Sequence, residues 1–258
     1  HRRGRGRHPG ITARIRRRAA MTQGLLLLAH GSRDARAAQV AQQVASAAAT
    51  RARAATPDLE SCAAFLELAA PSPEQALDLL GERGVDDVVV QPFLLSHAYH
   101  SKVDLPGVSA LVEKRGWPVR TGDVLGPDDL LLDALAARLD EACAAADYDA
   151  VVLAAAGSTD PDANRAVQGV ASALATRIDT PVTAGFASAA EPRVGPAVSQ
   201  AKAGGARRVA VATYLLAPGF FADRIRADAG QAGAFAVSAP LGARPEVVEL
   251  VLRRSGLA

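Results

Sequence analysis

The sequence predicts an α/β fold made of two tandem copies of one small parallel-sheet domain. Short, nearly continuous apolar runs alternate with stretches of helical spacing, the pattern of parallel strands buried on both faces by helices. That succession completes itself and starts again near Asp147, and the two halves match residue by residue.

In the first half, strand-like runs fall at Gly24 to Ala29, Cys62 to Leu66, Asp87 to Leu95 and Val119 to Val124. Helical spacing covers Ala35 to Ala54, Ser72 to Arg83, Val103 to Arg115 and Asp128 to Ala146. In the second half, Ala150 to Ala155, Val182 to Ala187, Arg208 to Leu216 and Phe235 to Ser238 read as strands between Ala-rich helical stretches.

The repeat is visible in the residues themselves. Leu27-Leu28-Ala29-His30-Gly31-Ser32-Arg33-Asp34 lies over Leu153-Ala154-Ala155-Ala156-Gly157-Ser158-Thr159-Asp160, an offset of 126. Further on the offset is 121, with Phe65 over Phe186, Pro71 over Pro192, Gly84 over Gly205 and Leu94-Leu95 over Leu215-Leu216. The change implies a shortened helix or loop in the second copy. The expected division is a basic extension over 1–20, a first domain over 21–147 and a degenerate repeat over 148–258.

Composition bounds the function. With 49% hydrophobic and 22% charged residues the chain is of ordinary globular type, and 258 residues hold two domains of roughly 100–130. The longest apolar runs, Gly24 to Ala29 and Ala150 to Gly157, fall far short of the roughly 20 residues that cross a bilayer, so no membrane partner is expected. Eight arginines among the first twenty residues carry the formal charge to +2; without them 21 basic side chains face 27 acidic ones, which argues against nucleic acid as a partner. Met21, the single methionine, stands just before the first strand, so translation is expected to begin there, with an Arg-rich transit peptide as the rival reading. Cys62 and Cys143 form no framework and no Cys-x-x-Cys pair; reduced thiols in a cytoplasmic protein, and no iron–sulfur cluster, are expected.

An internal repeat supplies a control for each polar residue, because both copies must fold while chemistry can survive in one. His30 falls opposite Ala156, Glu67 opposite Ser188 and His100 opposite Phe221. Each stands just past the carboxyl end of an expected strand, where open parallel sheets hold their ligands. A lone histidine is ordinarily a hydrogen-bonded structural residue; three potential ligands lost together in the sister copy point to one metal site. Imidazole and carboxylate suit Fe²⁺, Co²⁺, Ni²⁺ or Zn²⁺, and the lack of a thiolate argues against structural zinc. His97, opposite Pro218, competes with His100 for the third position on residues alone.

The opening Leu-Ala-His-Gly-Ser, then Phe65-Leu66-Glu67-Leu68 with Pro71-Ser72, then Pro92-Phe93-Leu94-Leu95 through His100 to Asp104-Leu105-Pro106, resemble the sirohydrochlorin chelatases of the CbiX and SirB type, in their long two-domain form, from about residue 24 to 254. The resemblance implies two ferrochelatase-like, flavodoxin-like domains facing each other across a cleft. The family's second histidine is followed after three residues by Asp-Ile-Pro, here Asp104-Leu105-Pro106, which selects His100 over His97. His30, His100 and Glu67 are the implied metal and catalytic positions. The implied activity is ATP-independent insertion of Fe²⁺ or Co²⁺ into sirohydrochlorin, in sirohaem or cobalamin biosynthesis, with the metal as substrate and no tightly bound cofactor. No Gly-x-x-x-x-Gly-Lys-Ser/Thr loop is present, and neither the His-rich tail nor the cysteine cluster of some members occurs.

A tetrapyrrole rich in carboxylates calls for donors around the cleft. Ser32 and Ser158, in the Gly-Ser turns before two helices, are candidates, as are Arg33 and Lys102. Helix capping for the serines and a solvated surface for the two cations are the alternatives. Phe93, Tyr99, Phe220 and Phe221 fall at equivalent strand-end loops and are candidates for an apolar lining, with core packing the alternative for Phe93. The chain is expected to be a monomer or homodimer. A non-catalytic metal or tetrapyrrole carrier is the main rival function; a phosphate-ligand protein using the Gly-Ser turns explains neither histidine.

Overall fold

A computed structural model describes residues 21–96, 99–144 and 147–258; the side chains of 99–103 lie outside the described part. The first sheet contains β1 (Gln23–Ala29), β2 (Glu60–Phe65), β3 (Asp87–Pro92) and β4 (Val119–Thr121), all parallel, in the order β2-β1-β3-β4. The second repeats it with β5 (Ala150–Ala155), β6 (Val182–Phe186), β7 (Val209–Thr213) and β8 (Ala236–Val237) in the order β6-β5-β7-β8. This is the doubly wound order in which the chain reverses direction beside the first strand, opening a crevice at its carboxyl end.

The helices are α1 (Ala35–Ala52), α2 (Pro73–Glu82), α3 (Tyr99–Glu113) and α4 (Asp129–Cys143), then α5 (Pro161–Ile178), α6 (Val194–Ala203), α7 (Phe220–Gln231) and α8 (Pro245–Ser255). Side chains set several starts. Asp34, Asp128 and Asp160 cap α1, α4 and α5 by accepting from the backbone two residues on, and Ser72 with Gln75 closes a capping box on α2. The Gly-Ser serines are therefore not the helix caps. Helices α1 and α5 are both 18 residues long, so the offset change lies in the connection, 53–59 in the first half against 179–181 in the second.

Several boundaries differ from the sequence expectation, β4 among them, which ends at Thr121 and not Val124. β3 and β7 stop at Pro92 and Thr213, short of Leu95 and Leu216, although Phe93 and Tyr214 beyond them are buried. A buried strand-end loop is as apolar as the strand it follows, so hydrophobicity alone does not mark the end. α3 begins at Tyr99, a turn before Val103, and carries Pro106 inside it. Proline reads as a first-turn residue, yet here the helix gives up the backbone bond that its missing N–H would make.

Successive residues of each central strand alternate between two cores. Leu26 and Leu28 pack under the outer helices α2 and α3, and Val152 and Ala154 under α6 and α7. Leu25, Leu27, Val151 and Leu153 all join a third core, shared by both halves, with α1, α4, α5 and α8. The last helices are exchanged: α4, from the first half of the chain, contacts β7 and β8, whereas α8 contacts α1 and β3. Ion pairs follow the same exchange, with Arg51 to Glu249 at 2.7 Å and Arg253 to Asp128 at 2.5 Å.

Leu135 of α4 is fully buried in the shared core. Leu135→Ala should cost about 2–5 kcal/mol. Because the two halves share that core, denaturation followed at Trp117, the single tryptophan, in the first half, and by far-ultraviolet circular dichroism should give one coincident transition.

Candidate metal centre

The centre is built on backbone. β1 ends at Ala29 and β2 at Phe65, but their pairing continues beyond both: Leu66 N donates to the Ala29 carbonyl at 3.1 Å and Glu67 N to the His30 carbonyl at 3.0 Å. The two residues after the strands are thus held in register. Gly31 makes this possible. At φ +103 a Cβ on it would lie 1.7 Å from the Glu67 carbonyl oxygen, so only glycine lets the turn after β1 press against the turn after β2.

With the backbones fixed, the side chains meet. His30 Nε2 lies 3.0 Å from Glu67 Oε1, with the side chains 40% and 54% exposed. This separation is within hydrogen-bonding distance, and it also fits a cation. Two ligand atoms each about 2.1 Å from one ion at right angles stand about 3.0 Å apart. The pair is open to solvent, so an ion in solution can reach it.

The second half repeats the backbone without the chemistry. Ala187 N and Ser188 N donate to the carbonyls of Ala155 and Ala156, both at 2.9 Å, and Gly157 at φ +82 would place a Cβ 1.9 Å from the Ser188 carbonyl oxygen. Ala156 replaces the imidazole, and Ser188 Oγ turns back to donate to the Ala156 carbonyl at 2.9 Å. The second Gly-Ser turn is also bolted shut, since Asn164 accepts from Ser158 N at 3.0 Å and donates to Ser158 O at 2.7 Å. The matching residue of the first half is Ala38, which has no such amide.

Of the sequence candidates, His30 and Glu67 are brought together, and Ser32 follows in the same turn, its Oγ accepting from Asp34 N at 3.1 Å. Ser158 makes the same turn in the other half, at 3.1 Å from Asp160 N. Arg33 is exposed beside the turn. His100 is the second residue of α3, past the end of β3, but its side chain and that of Lys102 lie outside the described part, as does His97 altogether. Among the described residues no three His, Cys, Asp or Glu groups gather as a metal site.

Two features escaped the sequence. Arg36, at the start of α1, donates to Asp34 and, at 2.7 Å, to Asp223 at the start of α7, tying the two halves beside the site. The hydrogen bonds from Arg36 hold the Asp34 carboxyl below its ordinary value. Nothing in a sequence couples positions 187 apart. Leu68, next to Glu67, is 52% exposed at φ +61; its large side chain opposite Ala189 in the repeat was the available signal.

The CbiX family model matches residues 24–142 and again 150–257. The chain belongs to the CbiX family. Among the relatives of this CbiX chain is the sirohydrochlorin ferrochelatase of Priestia megaterium, 30% identical over 80% of this chain and 78% of that protein. Its two-sheet α/β fold is also that of SirB from Bacillus subtilis with Fe³⁺, with a TM-score of 0.74, 27% identity and coverage of 91% of this chain and 94% of that one. SirB from Bacillus subtilis subspecies spizizenii in complex with cobalt gives a TM-score of 0.71 at 26% identity, covering 92% and 94%.

The two glycines provide a matched test of the centre. Gly31→Ala and Gly157→Ala should each cost at least about 1–3 kcal/mol, from backbone strain alone. Only Gly31→Ala, which displaces the ligand-bearing turns, should weaken Co²⁺ binding in calorimetric titration, by about 10–100-fold.

Proposed function

We propose that this CbiX chain inserts a divalent cation, Fe²⁺ or Co²⁺, into sirohydrochlorin, with the chemistry confined to residues 21–147 and residues 148–258 acting as the opposing wall. The observation that carries this is the His30–Glu67 pair at the crevice of the first sheet, with its backbone frame copied in the second half and its ligands not. Membership in a family whose relatives are named ferrochelatases, and whose fold is seen with Fe³⁺ and with cobalt, supports it. No helix of the described residues is long and apolar enough to cross a membrane, and we place the reaction in the cytoplasm.

Metallation exchanges two pyrrole N–H protons for one M²⁺, so the protein must strip water from the ion, present it to a ring face and take up protons. We assign His30 and His100 as metal ligands and proton acceptors and Glu67 as a further ligand or base. Neutral imidazole holds a borderline ion firmly enough to displace water and can take a proton near neutral pH. The proton or cation shared by His30 and Glu67 gives the carboxylate a part in both steps. The metal is a substrate in this scheme, delivered and released in each turnover. Ser32, Arg33, Lys102 and Ser158 are assigned to the tetrapyrrole carboxylates; with the Ser158 backbone already engaged by Asn164, its contribution is through the hydroxyl.

The test mixes sirohydrochlorin with Co²⁺ or Fe²⁺ without oxygen and follows the absorption spectrum. Wild type should turn over many equivalents without ATP, where a carrier would stop at one. His30→Ala and His100→Ala should each slow metallation at least about 100-fold, the lower range for loss of a positioned base. Undiminished rates in both would exclude the site.

A further inference from the structure

The most exposed large apolar side chains lie beside the metal centre. Phe220, at 70%, and Leu68, at 52%, exceed every other described one, and Phe221, at 38% and level with Met21 and Leu79 at 39%, adjoins Phe220. Phe235, at 42%, is covered by the Arg208 guanidinium 4.0 Å above its ring. Among the described residues no cation stands over the other three in this way.

Their positions converge on one turn. Leu68 directly follows Glu67, whose carboxylate touches His30. Phe220 directly follows Gly219, whose Cβ position lies 3.8 Å from Ser32 Oγ, and Asp223 one turn on holds Arg36. Leu68 from the first half and the Phe220–Phe221 pair from the second thus adjoin residues that touch the residue 30–32 turn. The two phenyl rings stand edge to face, 5.4 Å between centroids, presenting a broad apolar surface.

The repeat shows that Leu68 and Phe221 are not required by the fold, whereas Phe220 keeps an aromatic counterpart in Tyr99. The left-handed backbone at Leu68, φ 61, recurs at Ala189, φ 57, so the loop needs that conformation but not a large side chain. Phe221 occupies the place that His100 has in the first half. Exposed hydrophobes of this kind cost solubility and are found where they meet a partner. A flat ring with apolar faces and a charged rim, its nitrogens aimed at the His30–Glu67 pair, is the partner whose shape they fit.

Resting on the function proposed above, we infer that Leu68 and the Phe220–Phe221 pair form an apolar clamp that grips the faces of the tetrapyrrole and holds its ring against the metal centre. The clamp sets affinity for the macrocycle, whereas His30 and Glu67 set affinity for the ion.

The experiment titrates metal-free sirohydrochlorin into the full chain and into Leu68→Ala and the double variant Phe220→Ser/Phe221→Ser, following the tetrapyrrole spectrum. Leu68→Ala installs the residue that the second half already carries at the same φ, so folding is not at issue. Each variant should weaken tetrapyrrole binding about tenfold, with Co²⁺ binding in the absence of tetrapyrrole and the melting temperature unchanged. Tetrapyrrole affinity within about twofold of wild type in both would overturn the clamp, even if wild type metallates normally. Weakened binding in the variants, beside a wild type that binds but does not metallate, would retain the clamp and sink the proposed reaction instead. A wild-type dimer broken by the double variant, with tetrapyrrole binding intact, would assign the patch to a second copy.

Discussion

The site depends on a close approach between two turns that are far apart in sequence. The backbone bonds from Leu66 and Glu67 to Ala29 and His30 carry the pairing of β1 and β2 past the end of the sheet, and the bare Cα of Gly31 leaves room for the Glu67 carbonyl. Once these contacts exist, the backbones of His30 and Glu67 are fixed side by side, and their side chains meet at 3.0 Å. Preorganisation of this kind means that binding an ion does not have to order the loops first.

The second half shows what such a frame does without its ligands. Its glycine, its two backbone bonds and its left-handed loop residue are all kept, while the open valences are closed internally by Ser188 and Asn164. The frame is therefore a property of the fold, and the histidine and glutamate are additions to it. Exchange of α4 and α8 between the sheets, with a shared core, locks the second half to the first and brings Gly219, next to the exposed Phe220, against Ser32.

Much of this was legible in the sequence. The eight strands and their order of occurrence follow from apolar runs separated by helical spacing, and the ligand candidates follow from comparing the halves. The misses have physical causes. Phe93 and Tyr214 are buried loop residues indistinguishable by hydropathy from strand. The helix expected from Val103 begins a turn earlier, at Tyr99, which places Pro106 past the first turn, where proline is costly. The exchange of the terminal helices and the Arg36–Asp223 pair are tertiary contacts between distant positions, for which local pattern carries no information. At the site, helix capping was the alternative to ligand binding for the Gly-Ser serines, and an aspartate two residues later takes the cap in both halves.

The most direct measurement of the central claim is X-ray absorption at the cobalt edge on the chain given less than one equivalent of Co²⁺ and no tetrapyrrole. A nitrogen and oxygen shell with imidazole scattering, reduced in His30→Ala and retained when Ala156 is changed to Gly, is the predicted result. The spectrum of hydrated Co²⁺, or an imidazole signal indifferent to His30, would contradict it.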